Sequence, residues 1–156
     1  MKRVLSIALP LVGILVLAAA VSAWASGDGR SGNSGKTLTV IEHATTDTTT
    51  DTGAQGDTVG DVLTFANDVF DAGDHAKVGT DNGYCLRTVK GAAYECNWTT
   101  FLSGGQITVE GPFLDASDST LAITGGTGRF RGARGTMELH SRENGAKFAF
   151  VFHIKG

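Results

Sequence analysis

The sequence has 156 residues, of which 22 are glycine and 2 are proline, and its formal net charge is −3. The length favours one domain, and an apolar fraction of 41% with 19% charged residues excludes a wholly disordered chain. So many glycines also disfavour a helical bundle, because each interior glycine costs about 0.5–1 kcal/mol relative to alanine. The composition therefore predicts an all-β fold with many turns.

The first 25 residues have the pattern of a secretory signal peptide. Lys2 and Arg3 precede an uncharged apolar stretch over residues 4–21, and Ala23 and Ala25 are the small residues expected before a cleavage point. The alternative is a retained membrane anchor, since the stretch approaches the ~18–20 residues that span a bilayer. Under either interpretation the remaining chain lies outside the cytoplasm, as a secreted or an anchored extracytoplasmic protein.

Residues 26–36 (SGDGRSGNSGK) have the composition of a flexible linker, so we place a single β-barrel domain at 37–156. Without the leader the chain has 11 basic and 16 acidic residues, a net charge of 11 − 16 = −5. An acidic domain is a poor match to the phosphate backbone. We therefore expect no nucleic acid as a partner, and no membrane once the leader is removed.

The first predicted strand is 37–43 (TLTVIEH), which alternates with a period of two. Leu38, Val40 and Glu42 share one of its faces. The Thr-rich segment that follows, residues 45–60, is predicted to be a solvated, mobile loop.

Seven further strands are predicted, at 62–70, 84–89, 93–101, 106–111, 119–124, 135–142 and 147–155. Turn signals such as Asn82-Gly83, Lys90-Gly91 and Asn144-Gly145 separate most of them. Eight short strands suit a closed antiparallel barrel, which removes exposed sheet edges. Such a barrel is just wide enough to hold one small ligand.

The two cysteines can be placed relative to each other. If Lys90-Gly91 is a two-residue hairpin loop, Val89 pairs with Ala92 and Cys85 falls opposite Cys96. In an exported protein such a pair predicts a disulfide. The alternative is a free thiol in a pocket.

The glycine-rich run from Thr124 to Gly135 (TGGTGRFRGARG) does not have the spacing of a nucleotide-binding loop, because Arg131 stands where a dinucleotide fingerprint needs its third glycine. We expect its glycines to permit a sharp connection between strands, with positive φ angles. The four histidines, at 43, 75, 140 and 153, have no metal-ligand spacing, so no metal site is predicted.

Several motifs, in the same order, resemble the allene oxide cyclase barrel: GDVLTFANDVF (60–70), VGTDNGYC (78–85), ITVEGPFLDASDSTLAITGGTGRFRGARGTMEL (107–139) and KFAFVFHIKG (147–156). The run GGTGRFRGARG is also similar to plant dirigent proteins. The resemblance implies an eight-stranded antiparallel β-barrel with a hydrophobic cavity that binds a small molecule. It further implies a homotrimer and no cofactor.

The resemblance also suggests individual site residues. Glu42 is similar to the family's cavity glutamate, Asn67 to its water-holding asparagine, and Cys85 to a cavity-lining cysteine. Ala44 replaces a family asparagine, and a family proline has no equivalent in the Thr-rich segment. The resemblance therefore implies the barrel and its cavity, and leaves the reaction open.

We accordingly expect Glu42 and Asn67 to be the catalytic residues, and the cavity to be lined by Leu38, Val40, Phe65 and Cys85. If the cavity face of the first strand is the one that carries Glu42, its carboxyl group is partly desolvated. The alternative is that Glu42 lies in water at the strand end. Three functions follow: a cofactor-independent isomerase or cyclase, a dirigent-like protein that only orients its ligand, and a secreted interaction module with a side-chain-packed barrel.

Overall fold

The computed structural model describes residues 35–155, and almost all of its regular structure is β-strand. The nine strands are β1 (Lys36–His43), β2 (Thr48–Thr50), β3 (Val62–Phe70), β4 (Lys77–Val89), β5 (Ala93–Leu102), β6 (Gly105–Leu114), β7 (Ser119–Gly126), β8 (Arg134–Arg142) and β9 (Lys147–Lys155). Single 3-10 turns lie at Gly128–Phe130 and Glu143–Gly145.

The N-terminal predictions fall largely outside this range. The signal peptide or anchor at 1–25 and all of the linker except its last two residues are not among the described residues, and β1 begins at Lys36, one residue before the predicted barrel boundary. Across 35–155, no helix has the length and apolar character needed to cross a bilayer.

Eight strands close into an antiparallel barrel, in the order β1-β9-β8-β7-β6-β5-β4-β3. The ring is completed by β1 and β3, which pair Ile41, Glu42 and His43 with Phe70, Val69 and Asp68. Closure satisfies the backbone hydrogen bonds that an open sheet would leave at its edges. The predicted eight-stranded antiparallel barrel is confirmed.

The ninth strand, β2, lies in the Thr-rich segment that we predicted to be a mobile loop, and that prediction was wrong for residues 48–50. The pairing of β1 with β3 covers only residues 68–70 of β3, and β2 pairs with residues 62–64 at the other end of the same strand. Threonine is β-branched and favours extended backbone. The segment ends at the buried Asp61, whose carboxylate accepts hydrogen bonds from the backbone N–H groups of Thr52 and Thr58.

The hydrophobic core fills the barrel. On β5 every second side chain is buried, and on β9 the aromatic side chains Phe148, Phe150 and Phe152 are buried in the same core. The ring of Trp98 packs 5.5 Å from that of Phe150. Burial of this apolar surface, at about 25 cal/mol per Å2, is the main contribution that stabilises the barrel.

Asn82-Gly83 is not a turn, contrary to the sequence prediction, because β4 runs uninterrupted through it from Lys77 to Val89. Gly83 pairs with Trp98 across the β4–β5 ladder. A Cβ atom at Gly83 would overlap Cβ of Trp98. The glycine is thus required for close packing of the indole inside the barrel. Both a turn and a close packing contact select glycine, so the sequence alone does not distinguish them.

The glycine-rich run does connect two strands as predicted. It contains the end of β7, the 3-10 turn and the start of β8. Gly128 has a φ of 57°, and a Cβ atom there would overlap the carbonyl oxygen of Gly104. The glycine therefore allows the connection to pack against the β5–β6 turn.

Cys85 and Cys96 are opposite each other on β4 and β5 and form a disulfide, so this prediction is confirmed. The predicted pairing of Val89 with Ala92 was wrong, since Val89 pairs with Ala93 after a register shift next to Arg87. The hairpin loop has three residues, and Gly91 adopts a φ of 65° in it. The bulge absorbs the extra residue, so the cysteines keep the expected register.

Candidate functional site

Glu42 and Asn67 are brought together by the closure of the barrel. Glu42 lies one residue from the end of β1, where it pairs with Val69, and Asn67 lies two residues before Val69 on β3. Side chains two residues apart on a strand share a face, so Asn67 lies diagonally across from Glu42. Glu42 is 5% exposed and Asn67 is 1% exposed.

The amide group of Asn67 holds two carboxylates. Its Nδ2 atom donates to Oε1 of Glu42 at 2.8 Å and to Oδ1 of Asp47 at 2.7 Å. A carboxamide nitrogen has two hydrogen atoms, so both are used. Asn67 therefore orients Glu42 and draws Asp47 from the segment after β1 towards the same point.

The Asn67 oxygen is fully used as well. Its Oδ1 atom accepts from the backbone N–H of Thr45 at 3.1 Å, the backbone N–H of Thr46 at 3.0 Å and the Thr46 hydroxyl at 3.0 Å. The direction of these bonds fixes which end of the amide faces Glu42. Asn67 is thus the centre of a hydrogen-bond network that fastens residues 45–47 over this end of the barrel.

Asp81 is the second carboxyl group beside Glu42, and the sequence analysis missed it. It lies opposite Asn67 on β4 and is 1% exposed. Neither of its oxygens has a well-aligned hydrogen-bond donor among the described residues, and the polar groups that interact with it are the Glu42 carboxyl group and the Asn67 backbone N–H. Burial and, next, repulsion by Glu42 raise the pKa of Asp81 to about 9.

The pKa of Glu42 is raised to about 7, chiefly by burial. The Asn67 amide opposes this rise in pKa, and the negative charge of Asp47 adds to it. Two adjacent buried carboxyl groups cannot both ionise readily, so the pair keeps a proton near neutral pH. We assign that proton to Asp81, the group with the higher pKa, which leaves Glu42 as the member that exchanges protons near pH 7.

Glu42 faces a cavity with mainly aromatic walls. The lining residues are Glu42, Asp47, Leu63, Phe65, Cys85, Cys96, Trp98, Phe113, Leu139, Phe148 and Phe150. The cavity encloses about 350 Å3 when its open mouth is included. Its free inner volume is about 30 Å3, which suits one or two water molecules, so an organic ligand requires side chains to move.

The four residues expected to line the cavity do not all meet there. Phe65 and Cys85 lie in its wall, the latter through the disulfide. Leu38 and Val40 pack in the core but line a different depression, which also includes Leu102. The strand alternation placed Leu38, Val40 and Glu42 on one face, but the strand runs along the barrel, so they lie at different depths.

Further polar groups of the interior escaped the sequence analysis. The Trp98 indole N–H and the Thr100 hydroxyl are buried, and neither has a hydrogen-bond partner among the described residues. Thr100 pairs with Asp81 across the β4–β5 ladder. Asp81 could have been found from its spacing, because it lies four residues before Cys85 and so shares its face of a strand, but the interpretation of Asn82-Gly83 as a turn concealed that strand.

At Ala44, where the family pattern has an asparagine, the structure places an apolar side chain. Ala44 is partly buried and packs against the core. The polar groups near Asn67 come instead from the Thr-rich segment, through Thr46 and Asp47. Over residues 35–155, no three His, Cys, Asp or Glu side chains are arranged to hold a metal ion.

This arrangement can transfer a proton. Glu42 titrates near neutral pH, where general acid–base catalysis is most efficient, and it faces an apolar cavity in which charges interact strongly. Asn67 fixes its orientation. The same carboxylate can stabilise positive charge that develops on a bound molecule.

The chain is similar to several solved structures, among them a demethylase, a Diels-Alderase and a dirigent protein. A pyocyanin demethylase is 27% identical, with 75% of this chain and 100% of that chain covered and a TM-score of 0.64. AbnU, an exo-specific intermolecular Diels-Alderase, is 18% identical over 79% of this chain and 99% of its own, with a TM-score of 0.64. The pterocarpan synthase dirigent protein PsPTS1 is 19% identical over 78% and 97%, with a TM-score of 0.61.

The latter two likenesses concern the fold. The family assignment comes from the sequence profile described as allene oxide cyclase, which matches residues 38–156. That range is most of the chain and covers the barrel except the first two residues of β1, and it includes Glu42, Asn67 and the disulfide. The resemblance noted in the sequence is confirmed, and the chain belongs to the allene oxide cyclase family.

Proposed function

We propose that this protein binds a hydrophobic small molecule in its barrel and promotes an isomerisation or cyclisation of that molecule without a cofactor. The observation that carries the proposal is the position of Glu42, a buried carboxyl group with a raised pKa in the wall of an aromatic cavity. Burial of a carboxyl group beside an apolar cavity costs stability. Such a group is therefore a candidate for a functional role.

In the proposed reaction the walls fold a flexible substrate into a reactive shape, and Glu42 moves a proton or stabilises developing positive charge. Asn67 is a positioning residue, because its amide holds Glu42 while its oxygen is held by residues 45 and 46. Asp81 keeps its proton and so prevents a second negative charge from forming beside Glu42.

The named chemistry of similar proteins supports a role on small organic molecules. These proteins are a pyocyanin demethylase, a Diels-Alderase and a pterocarpan synthase dirigent protein. Each of them is named for an organic reaction. None of these names specifies the substrate of this chain, which we propose only as a hydrophobic molecule.

Entry of such a molecule requires the cavity to widen. Phe113, Leu139 and Phe148 line both the cavity and a second, outer depression, so these side chains form the wall between the two. The Phe113 and Phe148 rings meet edge to face at 5.7 Å. Rotation of this pair is the movement that we expect on ligand binding.

The small inner volume favours one alternative, an interaction module whose barrel is filled by side chains. A dirigent-like protein that only orients its ligand is the other alternative.

One experiment separates the three functions. The purified chain is incubated with lipid and polyketide extracts, and retained or altered compounds are identified by mass spectrometry, in parallel with Glu42→Gln and with Glu110→Gln, a matched change at an exposed position of β6. Conversion by the wild type and Glu110→Gln, but not by Glu42→Gln, supports catalysis. Retention without conversion supports the dirigent-like alternative, and no retained compound supports the packed module.

We also propose that the protein is exported. The disulfide between Cys85 and Cys96 supports this, because disulfides persist in oxidising compartments outside the cytoplasm. N-terminal sequencing of the protein recovered from the medium and from the membrane fraction of the expressing cells tests the proposal. A first residue of Ser26 supports cleavage of the leader, and an intact N-terminus in the membrane fraction supports the anchor.

We further propose self-association, as the family resemblance implies a homotrimer. Three large apolar side chains on neighbouring strands support it: Tyr84 and Leu86 on β4 and Phe101 on β5 are 54%, 43% and 37% exposed. Light scattering tests it. A mass of three chains in solution that falls towards one chain on Tyr84→Ser supports the proposal, and a monomeric wild type contradicts it.

A further inference from the structure

The charge of the cavity restricts which ligand it can hold. Glu42 and Asp47 are the ionisable side chains in its lining, and among the described residues no Lys, Arg or His lines it. Both acidic groups meet the Asn67 amide, which is neutral. The cavity therefore offers negative charge without a cationic partner.

The groups around Glu42 do not supply that partner. On β4 the facing ionisable group is Asp81, from the segment after β1 it is Asp47, and on β9 Glu42 pairs with the apolar Phe148. The neighbouring His43 is held by Asp74 at 2.6 Å.

The nearest cation on the buried face of β4 is Arg87, two residues beyond Cys85. Arg87 is already engaged by Asp57 and Asp115, at 2.7 Å each, and its guanidinium lies 3.5 Å from the centre of the Tyr94 ring. These two carboxylates neutralise the positive charge of Arg87, so it does not offset the negative charge of the cavity.

The walls add a second preference. Five aromatic side chains line the cavity: Phe65, Trp98, Phe113, Phe148 and Phe150. Aromatic faces attract cations by about 0.5–2 kcal/mol, most strongly where water is excluded. A ligand carboxylate would instead lie beside the acidic side chains of Glu42 and Asp47, with no cationic side chain in the lining.

We propose that the molecule bound in this cavity is an aromatic organic cation, and that Glu42 is its counter-ion. This inference rests on the proposed function in one respect, that the cavity binds a small molecule. The ligand cation supplies the positive charge that the lining lacks, and the aromatic walls hold its flat ring.

A pH dependence follows. In the free protein Glu42, with a pKa of about 7, holds a proton for most of the time below neutral pH. A bound cation favours the ionised form, so binding releases a proton into solution. The affinity for a cation therefore increases with pH, by up to about tenfold per unit below pH 7, and levels off above it.

Three probes that share one fused-ring shape test the proposal: N-methylquinolinium, neutral methylnaphthalene and anionic naphthoate. Their dissociation constants are measured by equilibrium dialysis against the full chain between pH 5.5 and 8. At pH 8 we expect the cation to bind at least about tenfold more tightly than the neutral probe, a difference of about 1.4 kcal/mol. Naphthoate is expected to bind most weakly.

Variants identify the counter-ion. Glu42→Gln keeps the shape of the side chain and is expected to remove both the preference for the cation and its pH dependence. Glu110→Gln, on the exposed side of β6, is expected to keep both. A cation preference that survives in Glu42→Gln overturns the assignment of Glu42.

The remaining outcomes separate this inference from the proposed function. Equal binding of the cation and the neutral probe by the wild type overturns the inference on charge and leaves a hydrophobic binding site. Tighter binding of naphthoate also overturns it. If none of the three probes binds, both the inference and the proposed small-molecule site are wrong.

Discussion

The side-chain amide of Asn67 donates a hydrogen bond of 2.8 Å to Oε1 of Glu42, although the two residues are 25 positions apart in the sequence. The bond joins the two strands that close the barrel, β1 and β3. It also lowers the pKa of Glu42 against the larger effect of burial. One contact thus both joins the strands that close the barrel and influences the ionisation of Glu42.

Loss of this amide is expected to affect both stability and titration. Asn67→Ala leaves Glu42, Asp47 and the N–H groups of residues 45 and 46 without their partner, so we expect a loss of about 2–4 kcal/mol in the free energy of unfolding. The pKa of Glu42 should rise further. Urea unfolding and NMR titration measure the two effects. Asn82→Ala, on the exposed side of β4, is the control, and an equal effect there would contradict the role of Asn67.

The buried carboxyl pair should make stability depend on pH. The folded-state pKa values of Glu42 and Asp81, about 7 and about 9, lie above the ordinary values of 4.5 and 3.8. The unfolded chain therefore releases these protons at lower pH than the folded chain does. The stability from this pair is fully present below about pH 4 and is lost as pH rises through about 7 and 9.

Asp81→Asn removes one member of this pair, because an amide does not ionise in either state. We expect the decline in unfolding free energy between pH 5 and pH 8.5 to shrink by at least about 1 kcal/mol. Urea unfolding at several pH values measures it. The exposed Asp51→Asn serves as a control with an unchanged slope. The pKa values of Asp61, Asp71 and Asp74 are lowered from 3.8. Protonation of these groups therefore changes the stability only near and below pH 4, outside this window.

The disulfide between Cys85 and Cys96 should contribute to stability chiefly by restricting the unfolded chain. The two residues are 11 positions apart, and a loop of this size corresponds to about 2–3 kcal/mol. We expect the double change of both cysteines to alanine to lower Tm, and a reductant to lower the Tm of the wild type but not of the variant. A variant as stable as the wild type would contradict this account.

Gly83 and Gly125 form a matched pair for the packing argument. A Cβ atom at Gly83 would overlap Trp98, whereas a Cβ atom at Gly125 would have no neighbour within 4 Å. Gly83→Ala should therefore cost about 3 kcal/mol or more, since backbone and indole must move apart. Gly125→Ala should stay within about 0.5 kcal/mol of the wild type. Thermal unfolding compares them, and similar Tm values for both variants would disprove the close-packing role of Gly83.

Much of the fold could be predicted because its signals are local. Period-two alternation marked the first barrel strand, strand-forming residues between turn signals marked the other seven, and the spacing of Cys85 and Cys96 about a hairpin gave their pairing. The errors were also local. Asn82-Gly83 has turn chemistry but lies inside β4, and Thr48–Thr50 form a strand because the end of β3 offers them a partner. In both places a tertiary contact decided between two structures that the local sequence permits.

The site could be predicted only in part. Glu42 and Asn67 were identified through the family resemblance, whereas the proximity of Asp81 to Glu42 depends on the register between β3 and β4. Leu38 and Val40 were assigned to the cavity from strand alternation, which gives the face of a side chain but not its depth in a barrel.

The sequence by itself determined an antiparallel barrel of eight strands, its disulfide and the residue types available for its chemistry. Only the tertiary structure decided that Glu42, Asn67 and Asp81 adjoin one another inside it. The physical reason is that strand formation follows from local residue types, alternation and turn signals, whereas desolvation and charge coupling depend on closure of the ring. Closure brings distant residues together, and their burial moves the pKa of Glu42 to neutrality.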